Sequence, residues 1–108
     1  TLIFILYIIY MKLLKVEKTG GNKEYKATFK KDNKEIVRRF GTKNNFVGEG
    51  NKTEQDRKNY IARHSKNPLE KKALKDPSTP ASLSMELLWG KSKNIQKNIK
   101  DYKKKYKL

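Results

Sequence analysis

The sequence predicts an α+β fold: a three-stranded antiparallel β-meander followed by about three short α-helices. Three observations carry this. Between Lys12 and Phe40 apolar residues recur at every second position, and clusters of turn residues interrupt the pattern twice. After Thr53 the apolar residues fall at helical spacing behind capping residues instead. The chain of 108 residues is long enough for a single modest core.

The strands come first. Leu14 and Val16 are expected to face one side of the first, with Lys15 and Glu17 on the other. Thr19-Gly20-Gly21-Asn22 is a turn signal. In the second strand Tyr25, Ala27 and Phe29 point inward and Glu24, Lys26, Thr28 and Lys30 outward. Lys31-Asp32-Asn33-Lys34 signals a tight hairpin. The third strand, Glu35 to Phe40, sets Ile36 and Phe40 on one face and leaves Val37 off it. Such a meander is marginal alone, so its apolar face should pack on helices.

Gly41 to Gly50 reads as a loop. Its glycines lack the spacing of a phosphate-binding loop, and Phe46 and Val47 should tuck it onto the core. Thr53 with Asp56 starts a helix running to His64, anchored by Tyr60 and Ile61, and Ser65-Lys66-Asn67-Pro68 ends it. Leu69 to Lys75 adds at most one helical turn. Thr79 caps the next helix, Pro80 fills its first position and Gly90 stops it. Leu83, Leu87 and Leu88, widened by Met85 and the single tryptophan Trp89, make that segment the expected core anchor. Ser92 is expected to cap a last helix, with Ile95, Ile99, Tyr102 and Tyr106 along one face.

Ahead of all this, Leu2 to Tyr10 is an unbroken apolar run. It is shorter than the roughly 20 residues that cross a bilayer as a helix, and it lacks the basic start and small-residue cleavage site of a signal peptide. Residues 1–11 are therefore set apart as an apolar extension, with Met11 the preferred natural start and residues 12–108 the single basic domain. If the run belongs to the protein, its β-branched and aromatic content favours a buried strand covered by a partner.

The composition bounds the function. Twenty-seven Lys and Arg against eleven Asp and Glu give a net charge of +16. That excess opposes compaction unless a polyanion or an acidic protein surface neutralises it. Only Arg38, Arg39, Arg57 and Arg63 are arginines, which suits point-charge contact better than forked base readout. The absence of cysteine removes disulfides, thiolate catalysis and thiolate zinc sites.

The second half resembles a family of small, mostly uncharacterised basic proteins of nucleocytoplasmic large DNA viruses, the giant viruses. The matching residues are Phe40-Gly41, Asp56-Arg57, Tyr60-Ile61-Ala62-Arg63-His64-Ser65, Asp76-Pro77, Leu83-Ser84, Leu87-Leu88-Trp89-Gly90-Lys91 and Ile99-x-Asp101-Tyr102-Lys103. They cover roughly residues 40–105. The chain departs from the family at Asn67-Pro68-Leu69, where more acidic and aromatic residues are usual, and at Gly90, where Asn is common. The resemblance implies a viral origin and a place in the virion, with assembly in the host cytoplasm. It carries over no active site.

No enzyme is expected, and neither cofactor, metal nor small-molecule substrate. His64 is the only histidine and could pair with Asp56 or favour the helix C-terminus. Ser65 beside it has no base in evident reach. Trp89 could stack on a base, but its spacing favours core; Tyr102 and Tyr106 would stack on single strands only if their helix were undocked. The basic tail is the strongest signal: Lys91, Lys93, Lys97, Lys100, Lys103, Lys104, Lys105 and Lys107, joined by Arg38 and Arg39, are the candidate contacts for a polyanion or partner. The expected role is a minor capsid-type protein bridging capsid proteins. The alternative is a protein that coats packaged DNA or RNA through the basic helix. A third class is a membrane-surface protein anchored by residues 2–14.

Overall fold

The computed structural model describes residues 11–21, 24–42, 44–48 and 51–108. The run Leu2–Tyr10, Asn22 of the first turn and Gly50 of the loop lie outside the described residues, and so do the expectations placed on them.

Strands β1 (Lys12–Lys18), β2 (Tyr25–Lys31) and β3 (Lys34–Phe40) form one antiparallel sheet in the order β1-β2-β3. The β2–β3 connection is a two-residue turn in which Asp32 (φ 51°) and Asn33 (φ 65°) both adopt left-handed backbone angles. This mirror-image turn matches the twist of a hairpin, and Asp and Asn tolerate it best after glycine. Tyr25, Ala27 and Phe29 are buried on the inner face.

β1 departs from the expected alternation. The register passes from Leu13 opposite Phe29 directly to Lys15 opposite Thr28, so Leu14 is an extra residue at a β-bulge. Leu13, not Leu14, therefore enters the core, while Leu14 stays 48% exposed. Past the bulge Val16 lies opposite Ala27 and rejoins the inner face. In β3, Ile36 and Phe40 lie opposite Phe29 and Tyr25, and Val37 is exposed. Thr28 takes its expected outward register between Lys15 and Val37 but is buried there.

Gly41 leaves β3 with φ +82°, and a Cβ there would lie 2.1 Å from Leu88 Cδ1. Only glycine lets the chain turn off so close to that side chain. Phe46 and Val47 then bury themselves, and the Phe46 N–H donates to the Leu88 carbonyl at 3.0 Å.

Helix α1 spans Glu54–Ser65. Its start is a complete reciprocal cap: the Asp56 N–H donates to Thr53 Oγ1 (3.1 Å) and the Thr53 N–H donates to Asp56 Oδ2 (2.8 Å). Asp does here what Glu or Gln usually does. Helix α2, Pro68–Ala73, is longer than the single turn expected. Asn67 Oδ1 accepts from the N–H groups of Leu69 and Glu70, and Pro68 loses nothing at the first position.

Helix α3 (Pro80–Leu83) starts from the Thr79 cap but widens at once into a π-helical segment, Ser84–Leu88, closed by the Trp89 N–H on the Ser84 carbonyl. The regular helix expected from Thr79 to Gly90 is thus only partly α. At about 100° per residue, an α-helix would turn Leu88 and Trp89 well away from Leu83. The five-residue turn brings them back, and Leu83, Leu87, Leu88 and Trp89 are all buried. Gly90 also differs from expectation, since it does not take the left-handed angle of a helix stop. A Cβ there would lie 2.3 Å from the Glu86 carbonyl oxygen and 2.7 Å from Asn98 Cγ, so close approach is what demands glycine.

Helix α4 spans Ile95–Tyr106 and is capped by Asn94 rather than Ser92, which instead accepts the Asn94 N–H. One cluster joins the inner sheet face, the Phe46–Val47 loop, the Trp89 segment and the Tyr102 and Leu108 side chains. Among the described residues no helix is long and apolar enough to cross a membrane.

Candidate interaction surface

The geometry of α4 follows from its inner face. Ile95, Ile99, Tyr102 and Tyr106 pack against the core, and the rings of Tyr102 and Tyr106 meet edge to face at 4.9 Å. The buried Tyr102 hydroxyl donates to the Pro77 carbonyl (2.5 Å), which leaves its oxygen to accept from Ser82 Oγ (2.8 Å). Burial pushes the Tyr102 phenol far above the ordinary tyrosine range, because a phenolate would lose its water there. Burial raises Tyr106 as well. Asn98, the buried polar residue of this face, donates to the carbonyls of Leu87 (3.0 Å) and Ser92 (2.7 Å) and accepts the Ser92 N–H (3.1 Å). It ties the turn after Gly90 to the helix. Tyr102 and Tyr106 are therefore packing groups and not a stacking surface.

Docked in this way, α4 turns its lysines out. Lys97, Lys100 and Lys104 follow one another at spacings of three and four, an outward row about 10 Å long at 1.5 Å per residue. Lys103 flanks the row, and Lys91 and Lys107 are exposed beyond its two ends. Among the candidate lysines, Lys105 and Lys93 have partners within the chain. Lys105 Nζ lies 2.6 Å from Glu86 Oε1. Lys93 Nζ donates to the Lys52 carbonyl (2.8 Å) and sits 4.4 Å from the centre of the Phe46 ring. Arg38 and Arg39 do not join the row or each other. As neighbours in β3 they point to opposite sheet faces: half-buried Arg38 lies opposite Ala27 and donates to the Val37 carbonyl, while exposed Arg39 lies opposite Lys26.

A second polar cluster holds α1 to the Trp89 segment. Arg57 Nε donates to the carbonyls of Trp89 and Gly90, both at 3.0 Å, and Arg57 Nη1 pairs with Glu54. Tyr60 stacks on Trp89 with ring centres 4.2 Å apart and bonds Ser84 Oγ. His64 Nδ1 pairs at 2.5 Å with Glu70 of α2, not with Asp56, whose carboxylate is committed to the cap. A groove of about 530 Å³ beside this cluster is lined by Arg57, Ile61, Met85, Trp89, Lys105 and Tyr106, among others. Of its charged side chains, Arg57, Glu86 and Lys105 are paired within the chain, and Lys91 and Asp101 complete the charged lining. Among the described residues no three metal-ligating side chains gather, and every buried side-chain nitrogen and oxygen has a hydrogen-bond partner.

Sequence reasoning missed Arg57, Glu70, Glu86 and Asn98. Apart from the Arg57–Glu54 pair, their partners lie 6 to 33 residues away, and Asn98 had a local signal as an amide on the apolar stripe of α4. No family model matches the chain, and neither a curated protein nor a solved structure matches it.

Proposed function

We propose that the chain is a non-enzymatic structural component of a large DNA virus, a minor capsid-type protein that bridges capsid proteins. It sets a preformed lysine face on acidic protein surfaces, in the host cytoplasm during assembly and in the virion thereafter. The observation that carries this reading is the docking of α4: its Ile/Tyr face is consumed by the core, so Lys97, Lys100 and Lys104 stand on a rigid support. A rigid cation row loses less conformational entropy on binding than a loose tail. The viral part rests on the resemblance over residues 40–105. Cross-linking mass spectrometry of purified particles tests it: links from α4 lysines should run to capsid proteins, and links only to genome-associated proteins reject it.

A second reading, coating of packaged DNA or RNA, draws on the same row of cations, which suits phosphates as well as carboxylates. Binding to duplex DNA across a salt series separates the two. A steep log–log slope, lost when Lys97, Lys100 and Lys104 become Gln, favours genome coating; no binding near physiological salt removes it.

A further inference from the structure

A bridge needs two faces, and α4 supplies one. We infer that the outer face of the sheet is the other, a docking surface for an acidic protein surface that carries small apolar side chains. The inference rests on the bridging reading and names its second contact.

The register sets Lys12, Lys15, Lys26, Lys30 and Arg39 on the side of the sheet away from the core, with Glu17 and Glu35 among them and Thr28 buried at the centre. Lys12 lies directly opposite Lys30, and Lys26 opposite Arg39. Like charges in direct cross-strand register oppose the pairing that holds them. Glu17 relieves part of this, at 3.5 Å from Lys15 and 3.6 Å from Lys26. The remaining excess of cations calls for carboxylates from outside. Between these cations stand Leu14 and Val37, 48% and 47% exposed. Apolar groups among lysines suit a protein interface, with its apolar centre and polar rim, whereas a phosphate ladder offers them nothing. The inward residues of the sheet and of α4 belong to one cluster, and the sheet cations and the α4 row each stand on the side of their own element away from it. The two faces are thus separate surfaces of one domain, each able to hold its own partner.

The test uses the whole chain and beads coated with poly-L-glutamate. The wild type should bind the beads and clump them. Lys12→Gln, Lys30→Gln and Arg39→Gln together should leave bead binding through α4 but slow clumping at least about tenfold, as loss of the second contact removes avidity. Lys97→Gln, Lys100→Gln and Lys104→Gln together should do the same from the other side. Lys58→Gln, Lys71→Gln and Lys72→Gln together remove equal charge outside both faces and should clump like the wild type. Unfolding midpoints confirm that each variant is folded; should the sheet triple variant unfold, Lys30→Gln and Arg39→Gln taken singly should each slow clumping. Clumping by the folded sheet variant at the wild-type rate overturns the inference and leaves the α4 reading standing. Failure of the wild type to bind the beads at all overturns that reading too. Clumping of beads coated with duplex DNA but not of poly-L-glutamate beads rejects the protein partner.

Discussion

At the scale of single residues, the polar groups that matter most are those the helices bury. Asn98 satisfies two carbonyls and one N–H with one amide. Asn98→Ala leaves all three without that partner, and a drop of about 2–3 kcal/mol in unfolding free energy is expected from urea titration, since stranded buried groups cost more than the bond itself contributes. Tyr102 gives a pH signature. Its folded-state pKa is raised by burial, so its contribution is fully present below the unfolded-state value near 10 and is lost as pH rises beyond it. Stability should fall above about pH 10 with a slope of about 1.4 kcal/mol per unit from this one group. Tyr25, Tyr60 and Tyr106, also raised by burial, add to the slope. Urea midpoints from pH 9 to 11 in the wild type and in Tyr102→Phe check this: the variant should start less stable and show a flatter decline.

At the scale of elements, α4 carries a conflict between holding together and holding a partner. Lys97, Lys100, Lys103 and Lys104 are neighbours at spacings of three and four, so they repel along the helix. Lys100→Glu removes three of these contacts and replaces them with attractive ones. It should raise unfolding free energy by about 0.5–1 kcal/mol while weakening binding to an acidic surface, a split readable from paired melting and binding measurements. The same scale shows what was legible in the sequence. β2, the Asp32-Asn33 turn, the Thr53 and Thr79 caps and the stripe of α4 were readable because each is a local pattern obeying one period or one cap. The bulge at Leu14 was not, because an added residue makes the alternation look continuous with the wrong phase. Nor was the π-helical segment, since Leu83 and Leu87 fit an α spacing and only the burial of Leu88 and Trp89 beside them calls for a wider turn. Of the candidate surface, the lysine row was legible as charge plus helical period. That Lys105 pairs with Glu86, and that Arg38 and Arg39 part company, depends on tertiary packing and strand register.

At the scale of the whole molecule, a net charge of +16 on 108 residues works against compaction. Salt screens that repulsion, because the Debye length shrinks from about 14 Å near 0.05 M to about 4 Å near 0.5 M. The melting temperature should therefore rise by several degrees between those ionic strengths, measured by scanning calorimetry. Stabilisation on lowering the salt would mean that the paired charges, such as Arg57 with Glu54 and Lys105 with Glu86, outweigh the rest. The high charge and the small core have the same remedy: each acidic partner that covers a cationic face also lends the fold stability.

The bulge in β1 has a consequence for how this chain tolerates change in length. Leu14 is the one residue of the strand without a partner in β2, and on either side of it Lys12, Leu13, Lys15 and Val16 already alternate out, in, out, in. Cutting Leu14 from the chain would close the strand over the gap with every other side chain on its present face. Removing Leu13 gives the same sequence, with Leu14 in its place, whereas removing Val16 would bring Lys15 to an inward position. The strand thus holds a single spare link, one that adds an apolar knob to the outer face and can be gained or lost without disturbing the core.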